Sequence, residues 1–127
     1  MANSNTNVAG YPTSIGSKQL FIFDHYGPTS YVQYTTTGPA GDIINASDLG
    51  FGGFDVVNSS WGGYSNSGNY IITIQQCLAN DSPAGGAAKR FAVQWFTTTG
   101  AFGAKSTEAT AATNLSAEYV RLRTDVV

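Results

Sequence analysis

The chain has 127 residues, of which 42% are hydrophobic and 13% aromatic, while only 11% carry a charge. That length supports one domain around one core, with no need of metals or disulfides to hold it. Six basic and eight acidic residues leave a net charge of −2, and Lys18, Lys89, Arg90, Lys105, Arg121 and Arg123 form no stripe that would neutralise a run of phosphates, so nucleic acid is not an expected partner.

Cys77 is the one cysteine, which excludes an internal disulfide and a multi-cysteine metal site. It is expected to be a small buried hydrophobe on a strand. With so little charge, the surface must be built from Thr, Ser, Asn, Gln and Gly. Such a surface resists edge pairing poorly, which suits a protein docked on neighbours.

Residues 1–17 are rich in Asn, Ser, Thr and Gly and are expected to form a flexible, extended N-terminal arm, with a single domain over 18–127. They lack the basic start and apolar run of a signal peptide, and no segment reaches the length of a membrane span. Synthesis in a cytoplasm is therefore expected, with no membrane as partner.

From Lys18 onward the apolar period is two. Lys18-Gln-Leu-Phe-Ile-Phe-Asp24 puts Leu20 and Ile22 on one face and Phe21 and Phe23 on the other, as in a strand covered on both sides. Ser30 to Thr36 predicts a second strand and Phe54 to Asn58 a third. Asn69 to Cys77 aligns Tyr70, Ile72 and Ile74. Arg90 to Phe96 aligns Phe91, Val93 and Trp95. Ala117 to Thr124 turns Val120 and Leu122 inward and leaves Tyr119 beside the arginines, where it could stack on a guanidinium.

Gly, Pro, Asn and Asp clusters separate these runs, as tight reversals require. Residues 106–116 carry one large apolar side chain, Leu115, among threonines, which predicts an extended connection or a single turn rather than a helix. Asp48 before Leu49 predicts a short turn. The sum is an all-β, antiparallel β-sandwich, with jelly-roll and immunoglobulin-like strand orders both open.

No catalytic set is legible. His25 is the sole histidine and reads as a polar residue ending a strand. A serine on a nucleophile turn is missing, since Gly63-Tyr-Ser-Asn-Ser-Gly68 has the wrong spacing. Asp42 and Asp48 are expected to bond nearby backbone amides in turns, and calcium-loop spacing is absent. Gly50 to Gly53 lacks the Lys-Ser/Thr of a phosphate loop. No enzyme activity, cofactor or metal is expected. Trp61, Tyr64 and Tyr70 border a Gly/Ser/Asn-rich loop, a composition suited to contact with a partner. For Trp61, core packing and sugar binding remain open beside it.

Two segments resemble small virion proteins of tailed bacteriophages. One is Ser30-Tyr-Val-Gln-Tyr34 with Gly41-Asp-Ile-Ile-Asn-Ala-Ser-Asp-Leu-Gly-Phe-Gly-Gly-Phe-Asp55. The other is Ala112-Thr-Asn-Leu-Ser-Ala-Glu-Tyr-Val-Arg-Leu-Arg123, where Asn114 stands at a position that is commonly Asp. Together they span about a quarter of the chain.

The resemblance is greatest to capsid decoration, or cement, proteins. It implies a β-sandwich on the capsid exterior that binds the major capsid protein, cements adjacent subunits and is commonly a homotrimer. A tail or head-fibre component and a carbohydrate-binding module are the alternatives. The residues expected to contact partners are Val8, Tyr11, Pro12 and Ile15 in the arm, and Trp61 and Tyr64 in the aromatic loop.

Overall fold

The computed structural model describes residues 3–15, 18–33, 41–50, 54–59, 63–76 and 90–126. Trp61, Cys77 and the loop from 80 to 86 lie outside them. Nine strands occur in the described residues: β1 (Ser4–Asn7), β2 (Thr13–Ile15), β3 (Lys18–Tyr26), β4 (Asp42–Asn45), β5 (Phe54–Ser59), β6 (Tyr70–Gln76), β7 (Arg90–Thr98), β8 (Lys105–Glu108) and β9 (Tyr119–Val126). One sheet runs β1-β3-β9-β5 with β2 also on β3, and the other runs β4-β7-β6 with β8 also on β7. All these pairings are antiparallel. The fold is an all-β sandwich, as the period-two pattern predicts.

In each sheet, two short strands share one long neighbour. Ser4–Asn7 pairs with residues 23–26 of β3, and Thr13–Ile15 pairs with residues 18–20. Likewise β4 lies against residues 90–93 of β7, and β8 against its far end at Phe96 and Thr98. The long strands β3, β7 and β9 carry the apolar alternation and the short ones borrow their order from them, which is why the short ones are nearly silent in the sequence.

The core follows from that alternation. Phe21 and Phe23 face inward from β3 with stacked rings 4.9 Å apart. Phe91, Val93 and Trp95 face inward from β7, and Val120 and Leu122 from β9, all fully buried. Ile44, Ile72 and Leu115 complete the cluster. Burying each such side chain stabilises by about 1.5–3 kcal/mol before chain entropy is subtracted.

Three expectations are corrected. The N-terminal segment is extended, but its described residues do not stand apart from the domain: β1 and β2 form an edge of the first sheet. The backbone N–H and C=O groups along β3 give polar strands a template, and β1 and β2 pair with them. The second predicted strand is no ladder between residues 30 and 33. Tyr31 is instead an isolated anchor, wholly buried, whose N–H donates to the Thr113 carbonyl and whose carbonyl accepts from the Ala112 N–H. Tyr119 lies on the outward face of β9 with Arg121 and Arg123. It faces its cross-strand partner Tyr26 with ring centroids 5.0 Å apart, while Arg121 makes a two-pronged bond to Asp24, at 2.8 and 3.0 Å. Tyr70 packs edge-on against Trp95, 6.1 Å away, rather than standing out of the loop.

No α-helix occurs among the described residues. The turn expected at Asp48 is a single 3-10 turn, Ala46–Leu49, closed by Gly50 in the left-handed region at φ 86°. Glycine adopts that conformation without steric penalty.

Candidate functional site

The inward face of β3 ends not on a hydrophobe but on His25, and that of β4 begins with Asp42. Both are buried, and the His25 ring nitrogen Nε2 lies 2.6 Å from Asp42 Oδ2. The same carboxylate oxygen accepts from the Trp95 indole N–H at 2.8 Å. Asn3 donates its amide to Asp42 Oδ1 and, at 2.9 Å, to the Ile43 carbonyl. His25 Nδ1 is 2.8 Å from the Asn5 amide oxygen. His25 and the two asparagines belong to the first sheet and its leading edge, Asp42 and Trp95 to the second. The network is therefore a polar bolt across the sandwich.

A histidine held by an aspartate is also how a catalytic base is oriented. Here both ring nitrogens are already engaged, one by Asp42 and one by Asn5, and the ring has no exposed surface. A base must bring a free nitrogen within reach of the proton it takes. This arrangement offers none, and its chemistry is cohesion. Asp42 as a turn residue is thus corrected, since it stands on β4 and bonds side chains; His25 does end the inward face of its strand, and each finds its partner across the sheets.

A second polar contact lies nearby. The Tyr31 hydroxyl donates to Glu108 Oε2 at 2.7 Å and accepts from the Trp95 backbone N–H at 3.3 Å. Burial first, and then the bond to Glu108, push the phenol well above its ordinary value. The unfolded chain gives up this proton near pH 10 while the folded chain keeps it, so folding stability is full below about pH 10 and declines above it. The expected slope approaches about 1.4 kcal/mol per pH unit. Denaturant melts between pH 8 and 11 should show a steeper decline in wild type than in Tyr31→Phe; parallel declines would contradict the assignment.

The outward features gather around the loop between Gly63 and Asn69. Its backbone bridges to β6 at Tyr64 and Ile71. Ser65 and Ser67 both donate their hydroxyls to Glu118 Oε1, and the Asn66 side chain accepts the Tyr119 N–H at 2.9 Å. Tyr64 is half-buried, donates to the Gly103 carbonyl at 3.2 Å, and meets Phe102 edge-on with centroids 5.6 Å apart. Phe102 is 63% exposed, at the tip of the β7–β8 hairpin. Its N–H bonds the Gly68 carbonyl at 2.7 Å, so loop and hairpin are one rigid ledge.

Among the residues expected to touch partners, Tyr64 sits on this ledge and Trp61 lies outside the described residues. Val8 is half-buried, its N–H bonded to the Ile22 carbonyl at 3.1 Å. Tyr11 packs on the core, Pro12 is exposed, and Ile15 ends β2. That group follows the β1/β2 edge of the first sheet, whereas Tyr64 belongs to the β6 side of the second, so the expected contacts do not make one patch. Phe102 was the residue missed. A lone Phe amid Gly-Ala-Phe-Gly was its only signal, and a turn cluster gives no hint of exposure.

Among the described residues, no three His, Cys, Asp or Glu side chains could hold a metal ion, and no helix is long and apolar enough to cross a membrane. Comparison with protein-family models, curated proteins and solved structures finds no match. The class is therefore defined by fold alone, an all-β antiparallel sandwich bolted by a buried polar network and bearing one aromatic ledge.

Proposed function

We propose that this chain is a phage virion component that docks on the capsid exterior, binds the major capsid protein and cements adjacent subunits as a homo-oligomer, with a trimer as the simplest form. The observation that carries the docking role is the Tyr64–Phe102 ledge. It presents an exposed aromatic, Phe102, on a hairpin tied to a loop that Glu118 already fixes. A surface ordered before binding spends little entropy on it, and rigid aromatics make efficient contact area.

Placement on a capsid is supported by the resemblance in sequence. Its two segments take forms consistent with it: β4 runs into a tight turn closed by Gly50, and a turn at Asn114 leads into β9. In that turn Asn114 Oδ1 accepts both the backbone N–H and the hydroxyl of Ser116, at 3.0 and 2.7 Å.

The test is the copy number of this chain relative to major capsid protein in purified virions. Near-equal amounts support cementing, a small fraction moves the chain to a fibre or tail, and absence refutes a virion role. Phe102→Asn refines the test, because asparagine tolerates the φ of 57° found there. Capsid affinity should fall about tenfold or more, with the melting temperature held within about 2 °C. Unchanged affinity would remove the ledge from the interface.

A further inference from the structure

A groove of about 400 Å³ opens where β1 faces the 3-10 turn, lined by Asn3, Ser4, Asn5, Asn7, Asp48 and Leu49. Period two places the three asparagines on one face of the edge strand. Their buried atoms are committed: Asn3 Nδ2 to Asp42 and the Ile43 carbonyl, Asn5 Oδ1 to His25. Among the described residues Asn3 Oδ1 and Asn5 Nδ2 are left over. The Asn7 amide has no partner among the described residues, and Asp48 spends only Oδ2, on Asn45 Nδ2 at 3.1 Å. Leu49, packed on the core, adds one apolar surface.

We propose that this groove binds a neutral sugar. Each sugar hydroxyl both donates and accepts, and the lining offers both donors and acceptors within one small space. Among the described residues the lining holds one carboxylate and no cation, which disfavours phosphate and acidic ligands. Among the described lining residues one leucine stands with five polar ones, which suits the apolar face of a pyranose better than an aliphatic ligand. The volume lies within the ~300–1,000 Å³ of small-molecule sites. Asn3 and Asn5 are fixed from behind by the buried network, so the site exists before its ligand arrives. It is separate from the Tyr64–Phe102 ledge, does not rest on the capsid proposal, and can be tested on the purified chain.

The probes are methyl α-glucopyranoside, methyl α-mannopyranoside and methyl β-galactopyranoside, titrated to high millimolar concentration into isotope-labelled full-length protein. At least one should shift the side-chain amide signals of Asn5 and Asn7 saturably. Asn7→Ala combined with Asp48→Ala, both at exposed positions, should weaken that binding at least tenfold while the protein still melts as wild type does. The proposal is overturned if none of the three sugars gives a saturable shift. It is equally overturned if the shifts map to Tyr64 and Phe102, or if calcium chloride saturates the Asn5 and Asn7 signals while the sugars do not. That last result would make the groove a cation site.

Discussion

Asp42→Ala is expected to destabilise the protein by about 3–5 kcal/mol, the lower part of the sum for three buried partners left without their acceptor at about 1–3 kcal/mol each. The carboxylate accepts from three side chains at once: His25, the Trp95 indole and Asn3. Alanine leaves all three donors without it, and each buried unsatisfied group costs about 1–3 kcal/mol. The sum overstates the loss, because a methyl-sized side chain leaves room for water to satisfy part of it. Against a typical total stability of about 5–15 kcal/mol, the change removes a large share of the margin.

Asp42→Asn separates charge from shape. It keeps one acceptor oxygen but turns an amide toward a neighbouring donor, so its loss should fall between wild type and alanine. Trp95→Phe removes one of the three donors and leaves the carboxylate its other two. In a double-mutant cycle, Asp42→Ala and Trp95→Phe should couple by about 0.5–3 kcal/mol. Urea midpoints of the four proteins measure this. An Asp42→Ala protein within about 1 kcal/mol of wild type would mean that the network is decoration rather than a bolt.

The network also explains what the sequence concealed. A period-two reading sorts residues into inward and outward by hydropathy, and it succeeded wherever a strand was long and apolar, as with Phe91, Val93 and Trp95 on β7. It failed where the inward residue is polar. Asp42 and Ile44 are the buried pair of β4, yet an aspartate after Gly-Pro-Ala-Gly reads as turn chemistry. Ser4-Asn-Thr-Asn7 has no apolar residue at all, and it is a strand because β3 offers it an edge. The candidate site was half legible. Tyr64 could be found from an aromatic in a small-residue loop, but the glutamate that fixes the loop lies 53 residues away in sequence, and no local pattern connects them.

The same distance in sequence hides the second large effect, Gly27→Ala. Gly27 follows β3, and its N–H bonds the Glu118 carbonyl at 3.1 Å, while the next carbonyl, that of Pro28, accepts from the Leu115 N–H at 2.8 Å. The chain is thereby clamped to the turn before β9. A methyl group at Gly27 would sit 2.4 Å from Leu115 Cβ, 2.9 Å from its carbonyl oxygen and 3.2 Å from Trp95 Cζ2. Leu115 and Trp95 are wholly buried, so neither can swing aside. Overpacking of this kind typically costs about 1–3 kcal/mol and occasionally more. With a backbone atom among the contacts and two backbone hydrogen bonds between the connecting turns at stake, the upper end or beyond is expected.

Gly10 is the control. Its φ of 89° penalises any side chain, but nothing lies within 4 Å of the added carbon. Gly10→Ala should therefore lose only the left-handed backbone term, about 1–2 kcal/mol. Gly27 is not among the positive-φ residues, so its loss would be steric alone. Melting curves of the two variants decide the matter: Gly27→Ala should melt well below Gly10→Ala. The reverse order would mean that the turn carrying Leu115 yields, and that the seam between β3 and β9 is looser than its contacts imply.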